Sequence, residues 1–200
     1  MNDRRWHWCP QFITLLNPMI NLSQTAIVWV SAVTLSFYST SLLAEDDDTV
    51  RVFIFAGQSN MVGSDSNIDD IKRFPPFSGL EKPQPEVRFS YTIGRENKVA
   101  SEGWVDLQPV NAIVGPELSF ARKVTRNINA PIAIIKCAAG GTHLGGDWNP
   151  DQPVGFKMYP LTLELIRSSL AEFDRKQIPY RIEGIMWHQG ENDMFEENYM

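Results

Sequence analysis

Two short, nearly continuous apolar runs stand out in the chain, at residues 50–56 and 132–136, and a third strand is predicted over 182–187. Runs of this length without polar alternation are typical of strands buried on both faces of a parallel sheet. Between them, apolar residues recur at helical spacing, which predicts one helix over 117–126, opened by Pro116, and another over 160–173. This alternation of strands and helices predicts an α/β fold with a parallel sheet.

Residues 65–109, between the first strand and the first helix, follow a different pattern. They are polar and rich in proline and glycine, with one candidate strand over 87–92. Proline and glycine favour turns and irregular backbone over regular elements. We therefore expect this segment to run over the surface of the domain.

The first 44 residues differ in character from the rest of the chain. Arg4 and Arg5 precede an uncharged apolar run over 26–38, small residues follow, and Ala44 stands just before an acidic cluster. This order is typical of a secretory signal peptide, and the apolar run is shorter than the roughly 20 residues of a membrane-spanning helix. We expect a secreted or periplasmic protein, cleaved near Ala44, with one domain over 45–200. An uncleaved membrane anchor is the alternative, and a membrane is a partner only in that case.

Composition narrows the classes of function. Apolar residues make up 43% of the 200 residues and charged residues 21%, which is ordinary for a folded domain and argues against disorder. The formal net charge is -6 and no basic stripe is present, which argues against nucleic acid as the main partner. Cys137 ends an apolar strand, so we expect a small buried hydrophobe there rather than a nucleophile.

Each of the three predicted strands runs directly into a loop of chemically capable residues, at 57–61, 138–143 and 187–193. Ligands of parallel sheets bind beyond the carboxyl ends of the strands, so these loops predict one shared active site. In the first loop, Ser59 can present its hydroxyl above the sheet as a nucleophile, and its backbone N–H can stabilise an oxyanion. A serine after a glycine also has an ordinary role in turns.

The other two loops offer groups that complement a nucleophile. Gly140 and Gly141 let the backbone approach a ligand and point N–H groups at an oxyanion, although a sharp turn explains them equally well. Gln189 can donate its amide to the same oxyanion and Glu191 can orient an imidazole, while helix capping is the other interpretation. His143 is a polar loop residue suited to solvent exposure or to substrate contact.

Four motifs occur in one order along the chain: G-Q-S-N-M at 57–61, G-P-E-L-S-F-A at 115–121, K-C-A-A-G-G-T at 136–142 and W-H-Q-G-E-N-D at 187–193. Together they resemble the carbohydrate esterases of family six and the related sialate O-acetylesterase domains of the SGNH hydrolases. The resemblance implies a three-layer α/β/α sandwich with a parallel sheet, flavodoxin-like in topology. It also implies removal of O-acetyl groups from a sugar or polysaccharide, with an acetylated carbohydrate as the partner and without a metal or another cofactor.

The same resemblance assigns roles to individual residues. Ser59 attacks the acetyl carbonyl, and the oxyanion is bound by the Ser59 N–H, by an N–H of Gly140 or Gly141, and by the Gln189 side chain. Glu191 supports the active-site imidazole. Contacts to the substrate are expected from further loop residues: Gln58, Asn60, His143 and Trp148.

The end of the chain departs from the family pattern. Members carry a D-x-x-H block whose histidine is the general base for the serine, and no such block follows Asp193. We expect neither His143 nor His188 to replace it, so the sequence is interpreted as C-terminally truncated and without its catalytic histidine. A serine without its base is a poor nucleophile near neutral pH. Glu117, in the second motif, resembles a buried structural acid without a catalytic role.

Two other interpretations stay open. A non-catalytic carbohydrate-binding domain derived from such an esterase would stack sugar rings on tryptophans: Trp104, Trp148 and Trp187. Binding alone does not need an oxyanion hole, so the paired glycines and the Gln-Gly-Glu segment argue against it. An esterase of non-carbohydrate substrates would differ only in its pocket.

Overall fold

The computed structural model describes residues 48–95 and 98–195. The leader predicted over 1–44 lies outside these residues. In the part of the chain that is described, no helix combines the length and the apolar character that crossing a membrane requires.

The described residues form a six-stranded, mostly parallel sheet at the centre of the fold. Its strands are β1 (Val50–Gly57), β2 (Gln84–Ile93), β3 (Val99–Ala100), β4 (Val105–Leu107), β5 (Ile132–Ala138) and β6 (Tyr180–His188). The order across the sheet is β3-β2-β5-β1-β6, and β4 also pairs with β2. The pairs β2–β5, β5–β1 and β1–β6 are parallel, whereas β3 and β4 run antiparallel to β2.

Helices cover both faces of the sheet. They are α1 (Ser59–Val62), α2 (Pro116–Val124) and α3 (Met158–Arg175), with 3-10 turns at Ile68–Arg73, Pro75–Phe77 and Asp193–Phe195. On one face, Leu118 of α2 packs with Phe55 and Ile134. On the other, Phe173 of α3 packs with Val52 and Ile135. Successive residues of a strand point to opposite faces, so β1 and β5 supply both cores and the layers follow the order helix, sheet, helix. The predicted α/β class is confirmed.

The strands predicted from the sequence differ in burial. All seven residues of β5 are buried, as its continuous apolar run predicted. By contrast, β6 lies at one edge of the described sheet, and its apolar residues Ile182, Ile185, Met186 and Trp187 are exposed.

Several element boundaries differ from the prediction. Strand β2 begins at Gln84 rather than at residue 87, and the short strands β3 and β4 were not predicted. Helix α3 begins at Met158, two residues before Pro160, because N–H groups in the first turn of a helix have no intrahelical acceptor and proline is tolerated there.

Candidate active site

Three loops meet at the carboxyl edge of the sheet. Gly57 at the end of β1 pairs in register with both Ala138 of β5 and His188 of β6. The loops that follow these three strands therefore leave the sheet at the same level. Hydrogen bonds close this junction: the Gln58 N–H donates to the His188 carbonyl at 2.9 Å and the Ala139 N–H to the Gly57 carbonyl at 3.1 Å.

A sharp turn places Ser59 at the start of α1. Gly57 has a φ of 155°, and a Cβ atom there would overlap the carbonyl group of His188, so the turn requires glycine. Ser59 is the first residue of α1, where a backbone N–H has no acceptor within the helix. The Ser59 carbonyl accepts from the N–H groups of Gly63 at 2.9 Å and Ser64 at 3.1 Å, which fixes the turn from its other side.

The backbone of the second loop passes beside the Ser59 side chain at Gly140. A Cβ atom built on Gly140 would lie 3.5 Å from the Cβ of Ser59, in ordinary van der Waals contact, so the Gly140 backbone lies close to that side chain. Gly141 has a φ of 69° and faces Arg95 instead: a Cβ there would lie 3.2 Å from Nη1 of that side chain. Of the two predicted oxyanion-hole glycines, Gly140 is the one that the structure brings against Ser59.

The third loop is fastened to the second by side-chain hydrogen bonds. The Gln189 amide donates to the Thr142 carbonyl at 3.3 Å and to the Asp193 carboxylate. Asp193 in turn accepts from the Leu144 N–H at 2.6 Å, and Asn192 donates to the Gly141 carbonyl at 3.0 Å. An amide has two N–H donors. Both donors of Gln189 are therefore engaged, and a contact to an oxyanion requires one of these bonds to be exchanged.

Glu191 connects the third loop to the turn that carries Ser59. Its Oε1 accepts from the Asn60 amide and lies 3.1 Å from Nε2 of His188. Its Oε2 is buried and has no hydrogen-bond partner among the described residues. Burial by itself would raise the pKa of Glu191, but its own backbone N–H, the Asn60 amide and His188 together hold the pKa below the ordinary 4.5. Glu191 is thus ionised near neutral pH and keeps one oxygen available to accept a further donor.

Two of the residues predicted to contact substrate are covered by the protein. Trp148 is 4% exposed, donates through Nε1 to the Thr142 hydroxyl at 3.0 Å and meets Trp187 edge to face with ring centroids 4.7 Å apart. Its ring is covered and packs against the second loop. The predicted contact between Trp148 and the sugar is therefore not supported. Gln58 is 2% exposed, and its Oε1 has no hydrogen-bond partner among the described residues.

The two other predicted contact residues lie at the loops themselves. The amide of Asn60 is bonded to Glu191, as described above. The backbone N–H of His143 donates to Asp147 at 2.9 Å, and its ring Nε2 lies 2.7 Å from the Asn192 amide. The buried Asp147 also accepts from the Phe156 N–H at 2.6 Å, so this carboxylate, which sequence reasoning missed, organises the loop that carries His143.

A buried ion pair lies next to the turn that carries Ser59. Only its acid, Glu117, was predicted from the sequence. Nζ of Lys136 lies 2.6 Å from Glu117 Oε2 and donates to the Val62 carbonyl at 3.2 Å. Both side chains are buried, which confirms Glu117 as a buried acid. Burial lowers the pKa of Lys136, and Glu117 opposes that shift. The signal for Lys136 was a lysine within a strand buried on both faces, a position that requires a partner.

Two further predictions concern cysteine and metals. Cys137 is buried, and burial raises the pKa of its thiol to about 11, as expected of a small core residue rather than a nucleophile. Among the described residues, no cluster of three or more histidine, cysteine, aspartate or glutamate side chains could hold a metal ion.

The chain matches a known protein family. Residues 49–200 match the family described as "Carbohydrate esterase, sialic acid-specific acetylesterase". The chain belongs to this family of carbohydrate esterases. A search of curated proteins found no significant match.

Three solved structures resemble the chain. NanS matches with a TM-score of 0.52 and 20% sequence identity, over 76% of this chain and 57% of NanS. A protein from Arabidopsis thaliana matches with a TM-score of 0.47 and 22% identity over 72% of this chain and 58% of its own. A carbohydrate acetylesterase from Xanthomonas citri matches with a TM-score of 0.42 and 14% identity, over 71% and 32%. The match to NanS supports the fold, and the chain spans less than two thirds of each of these proteins.

Proposed function

We propose that the protein removes O-acetyl groups from a sugar or polysaccharide through an acetyl-enzyme on Ser59. The observation that carries this proposal is the approach of the Gly140 backbone to the Ser59 side chain, with a Cβ-to-Cβ separation of 3.5 Å for a built Cβ. That approach places the Ser59 side chain directly beside the backbone of the glycine loop. Such an arrangement suits a tetrahedral acyl-transfer intermediate, and membership of a carbohydrate esterase family supplies the substrate class.

In the proposed reaction, Ser59 Oγ bonds to the acetyl carbonyl carbon and its proton moves to an imidazole. The Ser59 and Gly140 N–H groups stabilise the oxyanion, and Gln189 joins them by exchanging one of its present bonds. The carbon–oxygen bond to the sugar then breaks, and the imidazole returns the proton to the departing sugar oxygen. Water cleaves the acetyl-enzyme by the same steps in reverse order and releases acetate.

We assign the supporting carboxylate of this reaction to Glu191. Its buried, unpartnered Oε2 is an acceptor suited to the ring N–H of an imidazole. His188 already lies against Oε1, and its side chain is 55% exposed. We therefore propose that the base is an imidazole other than that of His188, as the resemblance leads us to expect.

The variant Glu191→Gln tests this assignment. We expect kcat/KM for acetate release to fall at least about a hundredfold, because an amide cannot stabilise the imidazolium that forms. Since the pKa of Glu191 is held below 4.5, the carboxylate protonates only as the pH falls below that value. The loss should therefore persist down to about pH 5, where Glu191 is still ionised.

The matched control for this variant is His188→Gln, which removes the other partner of the pair. An exposed ion pair contributes little, so we expect activity within about fivefold of the unaltered protein. A loss in His188→Gln as large as in Glu191→Gln would make His188 the base. A loss in Glu191→Gln that disappears at pH 5 would contradict the supporting role of Glu191.

Replacing Gln189 with alanine tests the third oxyanion donor. We expect kcat to fall about 10²- to 10³-fold with KM little changed, because the donor acts on charge that develops only in the transition state. Steady-state kinetics on an acetylated sugar measures both constants, and the exposed Gln152→Ala is the control. A rise in KM with kcat unchanged would contradict the oxyanion role. A fall in kcat accompanied by a clear loss of thermal stability would instead show that Gln189 only holds the two loops together.

The non-catalytic alternative finds less support in the structure. Trp148 is covered, and Trp104 stacks on Phe173 with ring centroids 4.6 Å apart and donates to the Ser169 carbonyl at 3.0 Å. Of the three tryptophans that a sugar-binding domain would use, Trp187 alone is exposed among the described residues. Acetate release from acetylated xylan, acetylated sialic acid and aryl acetates, measured side by side, separates a carbohydrate esterase from an esterase of other substrates.

We also propose that the protein is exported. The proposal rests on the arginines, apolar run and small residues of the first 44 positions. Amino-terminal sequencing of the protein from its own cells tests it: a mature chain that begins near Glu45 agrees with export, and an intact leader in a membrane fraction would make the segment an anchor.

A further inference from the structure

A cleft of about 500 Å³ adjoins the nucleophile turn. Its lining includes Asn60 and Gly63, which belong to the turn that carries Ser59. From there the cleft runs along the two 3-10 turns Ile68–Arg73 and Pro75–Phe77. Its volume lies within the range typical of small-molecule sites in proteins. The cleft is therefore continuous with the candidate active site but extends well beyond it.

Anchored backbone forms the outer wall of this cleft. The guanidinium of Arg122 on α2 donates to the carbonyls of Ser78 at 3.0 Å and Pro76 at 2.7 Å. Ile71 and Leu80, on either side of the wall, are buried in the core. The Ile68 N–H donates to the Ala112 carbonyl at 2.9 Å. The wall is thus held to the domain at several points, as a preformed binding surface would be.

Two aromatic rings on this wall are about half exposed. Phe74 is 53% exposed and Phe77 is 46% exposed, although both line the cleft. Aromatic rings with an open face are the usual platforms for apolar faces of ligands in a site that also carries a few polar groups. The polar groups here include Asp65, Asp70 and Ser119.

The charges of the cleft restrict the kind of ligand. Arg73 is paired with Asp70, which leaves the Asp65 carboxylate as the remaining charge among the described lining residues. A carboxylated sugar would be repelled by this charge, whereas neutral hydroxyl groups can donate to the carboxylate.

From these observations we propose that the cleft binds the unacetylated neighbouring units of a neutral oligosaccharide or polysaccharide whose acetylated unit lies at Ser59. Phe74 and Phe77 provide the stacking surfaces, and Asp65 accepts from sugar hydroxyls. This inference rests on the proposed function, since it takes Ser59 as the place of the acetyl group. It narrows the substrate from any acetylated sugar to a neutral chain that extends from Asn60 along the anchored wall.

Binding measurements test the inference without any turnover. In the Ser59→Ala protein, isothermal titration calorimetry compares partially acetylated xylohexaose with an acetylated methyl xyloside. We expect the hexaose to bind at least about tenfold more tightly, and the double variant Phe74→Ala/Phe77→Ala to remove that difference. Tyr159→Ala, which truncates an exposed aromatic ring on α3 outside the cleft, should keep it. Thermal unfolding of each variant confirms that it is folded.

Equal affinity for the two probes, or a preference that survives the double variant, would overturn the inference. Tighter binding of an acetylated oligogalacturonate than of the neutral hexaose would overturn the assignment to a neutral chain. Hydrolysis of 4-nitrophenyl acetate by the protein with and without Ser59 is measured separately. A preference for the hexaose without Ser59-dependent hydrolysis would support the cleft and contradict the proposed function. Ser59-dependent hydrolysis without a preference for the hexaose would support the proposed function and contradict the cleft.

Discussion

Replacing Ser59 with alanine is expected to abolish acetate release from acetylated sugars, by at least about a thousandfold in kcat. In the proposed reaction the Ser59 oxygen bonds to the acetyl carbon, and the alanine removes that oxygen. Cys137 is no substitute, because it is buried and its pKa is raised to about 11. Acetate release by the natural polypeptide and its variant, followed with an enzyme-coupled acetate assay, measures the loss.

Ser64→Ala is the matched control for this prediction. Ser64 follows the same short helix, and its side chain is exposed. We expect this variant to keep full activity and the Ser59→Ala variant to bind substrate with unchanged affinity. Activity retained in Ser59→Ala, or lost equally in both variants, would contradict the role of Ser59.

The second large effect is expected on stability, from breaking the buried pair of Lys136 and Glu117. Lys136→Met leaves a carboxylate without its partner in the core, and Glu117→Gln leaves the buried lysine unpaired. Removing one member of a buried ion pair costs about 3–5 kcal/mol in the free energy of unfolding. Urea unfolding at neutral pH measures the loss for each variant.

Two further variants separate the ion pair from general packing. In Lys136→Met/Glu117→Leu both charges are gone, so we expect most of the stability to return. Lys176→Met removes one member of the exposed pair with Glu172 and should cost far less than either buried change. Buried single variants as stable as Lys176→Met would show that Lys136 and Glu117 do not depend on each other.

The buried pair also concerns the active site, because Lys136 donates to the Val62 carbonyl at the end of α1. The same helix begins with Ser59. Loss of the lysine therefore removes a contact that fixes the nucleophile turn. The double variant should regain stability without regaining that contact, so its activity reports on the positioning of the turn.

Much of the sheet and the order of its elements could be predicted from the sequence. The strands β1 and β5 are buried on both faces and therefore read as continuous apolar runs, whose positions the structure confirms. The strands β3 and β4 have two and three residues, too few for any periodicity to show. Strand β2 was predicted too short because Pro85 and Glu86 interrupt its apolar pattern.

The loops that form the site could be predicted from the sequence, but the side-chain contacts within it could not. The three loops follow from strand ends alone, since parallel strands bring their carboxyl ends to one edge. Side-chain direction does not follow from sequence, and so Trp148, expected at the sugar, lies beneath the loop. The two engaged N–H groups of Gln189 and the free oxygen of Glu191 likewise depend on atomic geometry.

The cleft beside Asn60 had no sequence signal at all. Its wall comes from residues 65–80, which read as polar surface with scattered phenylalanines. Only the fold shows that Phe74 and Phe77 are exposed on a wall held by Arg122, which lies more than forty residues further along the chain.

The claim that Ser59 is the nucleophile is tested most directly by labelling the folded natural polypeptide with a fluorophosphonate ester and identifying the residue that is labelled. Such a probe forms a stable bond only to a serine that its surroundings have activated. We expect a single labelled peptide, with the mass added at Ser59, and no labelling after denaturation or in Ser59→Ala. A label on a different residue, or an unlabelled Ser59 in a protein that releases acetate, would contradict that claim.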